Sequence, residues 1–104
     1  MALRSLFATP LYETSLAGEK GFATLNAELA DAIADLALHD GAGRRWAKDH
    51  GYRGYTSYAS LDDLPMRDPS FAALQKLIDK HVRQFAKLAH MELGSHRLKQ
   101  DSLW

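Results

Sequence analysis

Two apolar stripes at helical spacing constrain this 104-residue chain more than any other feature. Phe22, Leu25, Leu29, Ile33 and Leu36 recur every three or four residues, and Phe71, Leu74, Ile78, Val82, Phe85 and Leu88 do the same. Residues at those intervals share one face of a helix, so each stripe needs a surface to be buried against. Ala27, Ala30, Ala32 and Ala34 favour helix around the first stripe, while Glu28, Asp31 and Asp35 fall mostly on the opposite side. The spacing predicts a helix over 20–39, ended by Asp40-Gly41-Ala42-Gly43 because glycine readily takes the left-handed turn beyond a helix. A second helix is predicted over 69–93. Asp68 can cap it, Pro69 suits its first position, and Gly94 stops it.

Three further segments have strand composition: 5–16, which contains Pro10 and so belongs at an edge or a bend, 55–61, and 97–104. Residues 41–54 read as a basic–aromatic loop between the first helix and the middle strand. The order strand, helix, strand, helix, strand predicts an α+β fold. Two amphipathic helices would pack on a partial, mainly antiparallel sheet within one domain or domain fragment. The last strand breaks off on Leu103-Trp104, where a domain normally tapers into polar residues. That pattern suggests either a continuing polypeptide or a second chain across an open sheet edge; a terminal strand that simply packs its last Trp is the plainer reading.

The chain contains no cysteine, which removes disulfide frameworks, thiolate metal sites and Cys nucleophiles together. No apolar run approaches the ~20 residues that span a bilayer, so a cytoplasmic protein without membrane contact is expected. Thirteen basic and thirteen acidic residues cancel, but unevenly. Residues 1–43 carry two basic against six acidic side chains, and residues 44–104 carry eleven against seven. This mild dipole lacks the concentrated patch that nucleic-acid binding requires.

Chemistry is sparse. Five histidines, His39, His50, His81, His90 and His96, are the candidate metal ligands. No His-Glu-x-x-His motif occurs, and His81, close to the second stripe, reads as a partly buried structural histidine. Neither a nucleophile elbow nor a phosphate-binding glycine loop is present, and Asp62 and Asp63 read as capping or solvated residues. The chain is therefore read as holding no catalytic residue and no metal ligand. Residues 44–58 are the one candidate surface, where Arg44, Arg45, Lys48 and Arg53 interleave with Trp46, His50, Tyr52, Tyr55 and Tyr58. Such a mixture can hold an anionic or aromatic ligand, grip a single strand of nucleic acid, or simply cover the core with wet basic tips.

The order of short motifs resembles a family of bacterial 2-oxoglutarate/Fe(II)-dependent oxygenases across nearly the whole chain. The matching pieces are Leu6-Phe7-Ala8-Thr9-Pro10-Leu11-Tyr12, Leu25-Asn26-Ala27-Glu28-Leu29, Gly54-Tyr55-Thr56-Ser57 with Asp62-Asp63-Leu64, Phe71-Ala72-Ala73-Leu74, and Asp101-Ser102-Leu103-Trp104. Gly54-Tyr55 departs mildly from the Gly-Trp commoner in that family. The resemblance implies the N-terminal scaffold portion of a double-stranded β-helix enzyme that uses Fe(II), 2-oxoglutarate and O₂ to oxidise a small-molecule substrate. It also implies that the iron ligands and the 2-oxoglutarate anchor lie in the remainder of the oxygenase chain, so that this chain alone binds neither cofactor. Arg45, Trp46, Tyr52, Arg53 and Tyr55 would then form the lip of the substrate entrance. The alternative is a stand-alone, non-enzymatic α+β module that binds a partner through an exposed sheet edge or the 44–58 loop.

Overall fold

Alanine and unbranched side chains lose little freedom in a helix, and the first stripe folds accordingly. In a computed structural model, which describes residues 1–100 and 102–104, Phe22–His39 form helix α1. It begins after Gly21, whose φ of +76° suits glycine, two residues inside the expected span. Gly41–Asp49 form α2, Leu64–Arg67 a single turn α3, and Pro69–Leu88 the long helix α4. Asp68 caps α4 as expected: its carboxylate accepts from the Ser70 amide at 2.8 Å and from the Ser70 hydroxyl at 2.6 Å. Those bonds hold the Asp68 carboxyl below its ordinary range.

The fold is all-α, which corrects the expected α+β architecture: among the described residues there is no strand and no sheet. Segment 5–16 forms no strand: Phe7 is left-handed at φ +59°, Leu16 opens a short 3₁₀ turn, Leu16–Gly18, and no partner strand lies alongside it among the described residues. An isolated strand cannot satisfy its own backbone, so composition alone does not make one. Segment 55–61 is taken up by turns. The amides of Ser60 and Leu61 donate to the Ser57 carbonyl, and the Thr56 hydroxyl accepts from the Tyr58 amide. Here hydroxyl side chains compete with a ladder for the backbone. Of the expected strand 97–104, Asp101 lies outside the described residues, and the remainder makes one isolated parallel bridge, Leu103 to Asp63. With no sheet, neither the start of a double-stranded β-helix nor an exposed sheet edge for a partner or a second copy is present among the described residues.

Two boundaries also move. The expected 41–54 loop opens with helix α2, so Asp40-Gly41-Ala42-Gly43 redirects the chain into a new helix instead of leaving helical structure. Helix α4 stops at Leu88, not at 93. The Met91 amide reaches back to the Ala86 carbonyl at 2.9 Å and the His90 amide to the Lys87 carbonyl at 3.1 Å, with His90 itself left-handed at φ +55°. This is a Schellman ending in which histidine occupies the place glycine usually takes. Gly51 holds the equivalent place after α2, with Tyr52 bonded to Ala47 and Gly51 to Lys48.

The core is small. Leu29 of α1, Leu64 of α3 and Phe71 of α4 are buried together, with Leu25, Ala32, Leu36, Leu61, Leu74 and Leu103 packed around them. The second half of the α4 stripe is only partly covered; Val82 remains 40% and Leu88 69% exposed. The radius of gyration is 18.0 Å, against about 13 Å for a compact chain of this length. Accessible surface is 8760 Å², about half as much again as a compact monomer of this mass exposes. Replacing His90→Gly removes the cost of a left-handed side chain and should raise stability by up to about 1 kcal/mol. Urea unfolding of both proteins measures it; an unchanged or lower midpoint contradicts the assigned cap.

Candidate functional site

The region flagged by sequence splits into two parts when folded. Helix α2 carries the first. Asp40 accepts from the Gly43 amide at 3.0 Å and so caps α2 while ending α1. Its other oxygen accepts the Tyr55 hydroxyl at 2.7 Å and the Ser60 hydroxyl at 2.5 Å. Burial opposes ionisation of Asp40, but the Ser60 and Tyr55 hydroxyls, the Gly43 amide and the nearby Arg67 charge outweigh it. The carboxyl is held below its ordinary range. The Tyr55 phenol is pushed far up, first by burial and then by the hydrogen bond and charge of Asp40, so it stays protonated. Gly43 is buried, and a Cβ there would stand 2.8 Å from the Thr56 carbonyl oxygen and closer still to the Asp40 carboxylate.

Aromatic rings make up the second part. Trp46 stacks on His50 at 4.3 Å between centroids and meets Tyr58 edge-on at 5.7 Å; Tyr58 in turn meets Trp104 at 5.0 Å. Tyr52 tilts against Trp46 at 6.4 Å. Beside this cluster an open cleft of about 330 Å³ lies between α1 and α4, walled by Ile33, Leu36, Phe71 and Leu74 and rimmed by Tyr52, Tyr55 and Trp104.

Of the five lip candidates, Tyr52 and Tyr55 therefore line the cleft, whereas Arg45, Trp46 and Arg53 do not. The Arg45 guanidinium lies back over Gly41 at the start of α2, since a Cβ on that glycine would meet its Nη1 at 3.3 Å. Arg44, Arg45, Lys48 and Arg53 are exposed and make no ion pair among the described residues. Trp104 was missed as a rim residue, because sequence gives it no neighbour: it reaches the site through the Leu103–Asp63 bridge.

The donor set does not fit iron. Among the described residues no three His, Asp or Glu side chains converge as a metal would require. His90 and Glu92 have the two-residue spacing of an iron-binding pair. They follow the end of α4, both exposed, with no third donor. His39 pairs with Asp35 at 3.2 Å and His81 with Glu19 at 3.3 Å, each in a separate place. Nor does an arginine line the cleft to anchor 2-oxoglutarate. With Asp40 saturated by donors and Tyr55 protonated, the cleft can enclose and stack a ligand, and its lining contains no nucleophile–base pair. No helix of the described residues is long and apolar enough to cross a membrane.

No protein-family model matches the chain, and no curated protein matches it.

Two outcomes test this geometry. Because folding lowers the Asp40 pKa, its contribution is complete above the ordinary value of 3.8 and is lost as pH falls below it. Asp40→Ala should cost about 2 kcal/mol at neutral pH from lost cap and hydroxyl bonds and should flatten the acid limb of a stability–pH curve. Gly43→Ala should destabilise by about 1–3 kcal/mol through overpacking. Thermal unfolding between neutral and acid pH measures both, and wild-type behaviour in either variant contradicts the site as described.

Proposed function

We propose that this chain is a scaffold portion of a cytoplasmic Fe(II)/2-oxoglutarate-dependent oxygenase, with Tyr52, Tyr55 and Trp104 forming part of the wall of its substrate entrance. The observation that carries this reading is the unfinished core. The α4 stripe runs on through Ile78, Val82 and Leu88, each still well exposed among the described residues, and the cleft stands open beside it. Such a face, in a molecule exposing far more surface than its mass warrants, is what a piece completed by further polypeptide presents. The ordered resemblance along the chain supports the oxygenase setting.

Fe(II) and 2-oxoglutarate would be held by that further polypeptide, since the residues here do not supply the ligands; bound there, they would furnish the oxidant. This chain's own part is physical. Its apolar wall excludes water from the entrance, its tyrosine and tryptophan rims offer stacking surface, and the Asp40 network keeps Tyr55 in place. A second reading, a partner-binding helical module, is favoured by the exposed arginines of α2 beside Trp46, which make no ion pair among the described residues.

Isolation of the natural gene product with an antibody raised to this chain tests the proposal. A longer polypeptide that binds one equivalent of Fe(II) and converts 2-oxoglutarate to succinate is expected. A product of this chain's own mass, monomeric and sharply cooperative in unfolding, overturns it in favour of the module. The 104-residue chain by itself should bind a hydrophobic dye in its folded state and take up no stoichiometric iron.

A further inference from the structure

The cleft between α1 and α4 is selective through its charge as well as its shape. Among the described residues its lining holds no Asp, Glu, Lys, Arg or His. Thr56, Ser57 and two tyrosines supply its hydrogen-bonding groups, and all of them are uncharged. The carboxylate bonded to Tyr55, that of Asp40, already receives the Gly43 amide and two hydroxyls, so its acceptor capacity is largely spent. Arg44, Arg45, Lys48 and Arg53, close in sequence to Tyr52 and Tyr55, do not line the cleft.

The rim is aromatic and braced. Tyr52 tilts against Trp46 at 6.4 Å between ring centroids, and Trp104 meets Tyr58 edge-on at 5.0 Å. Trp46 and Tyr58 meet each other at 5.7 Å, so the two rim rings are linked through a shared backing. Both are still half exposed, Tyr52 at 51% and Trp104 at 55%, which leaves ring surface for a ligand. Rings already held by their neighbours lose little freedom when a ligand stacks on them.

We propose that the cleft takes an uncharged molecule bearing about two fused rings, stacked against Tyr52 and Trp104, and rejects the same molecule when it carries a carboxylate or phosphate. This substrate class rests on the reading of the cleft as a substrate entrance. Size follows from volume. An apolar cavity of about 150 Å³ holds one benzene ring, and this cleft measures about 330 Å³. Selectivity follows from desolvation. An anion set against Leu36, Phe71 and Leu74 gives up hydration and meets no counter-charge in the lining. A neutral ring gives up only apolar contact with water, and it gains the aromatic rim.

Two probes of one shape test it: fluoronaphthamide, which is neutral, and fluoronaphthoate, which is an anion at neutral pH. Fluorine NMR titration with the 104-residue chain gives the affinity of each. The amide should bind at least about ten-fold more tightly than the carboxylate. Trp104→Ala, at a half-exposed position, should weaken the amide about three- to ten-fold. Ile33→Trp, on a wall residue that is 51% exposed, should fill the cleft and abolish amide binding, with thermal unfolding showing that the variant is folded. Arg45→Ala should change neither affinity. Equal or tighter binding of the carboxylate, an amide that fails to bind, or amide binding that survives unchanged in Trp104→Ala or in folded Ile33→Trp overturns the proposal. The oxygenase reading fails by a separate measurement, a natural gene product that leaves 2-oxoglutarate unconverted.

Discussion

Two oxygens of one carboxylate, that of Asp40, receive the Gly43 amide, the Tyr55 hydroxyl and the Ser60 hydroxyl. Asp40 thereby ends α1, starts α2 and draws in the loop that follows. Helix α2 needs this. It is nine residues long with two glycines in its first turn, and a helix of that length is marginal without external support. The loop beyond carries Leu61 toward the core and delivers Leu64 into it, so the placement of α3 against α4 depends in turn on where Tyr55 and Ser60 are tied. Ionic charge matters less here than the count of donors.

The long helices were legible because their information is local. Stripe spacing and the Asp68-Pro69 start are properties of neighbouring residues, and the structure keeps both. What failed was whatever depended on a distant partner or on a rarer local solution. Ser57 and Thr56 have strand composition, yet their hydroxyl and carbonyl groups close turns. Gly41 and Gly43 signal a break, and only the capping bond from Asp40 turns that break into a second helix. The end of α4 was misplaced because a left-handed histidine leaves no mark that a left-handed glycine would. For the site, composition groups Tyr52 and Tyr55 with Arg45 and Arg53, which do not line the cleft, and offers no reason to bring in Trp104, which does.

An incomplete core and a helical architecture fit together. Without a sheet, α1 and α4 are covered by each other, the short α3 and single side chains such as Leu61 and Leu103, and the stripe of α4 is longer than that cover. The chain thus presents a dry shelf beside a rim of tyrosine and tryptophan, and the chemistry proposed for the assembled protein belongs to residues that would rest on that shelf. The Tyr12 hydroxyl is hydrogen-bonded to His81 and Gln84 of α4, beside Phe85 at the far end of the same stripe, so covering polypeptide and N-terminal segment would share one helix face.

The buried Gly43 has a mechanical consequence. Where helices meet through side chains, rotamers can yield and let one element slide past another. Here the Thr56 carbonyl and the Asp40 carboxylate sit so close to Gly43 that there is no room for a methyl group. Backbone rests on backbone. Helix α2, which carries the Trp46–His50 stack, is thereby seated directly on residues 55–60, and the tyrosine rim and that stack share one footing at Gly43 and Asp40.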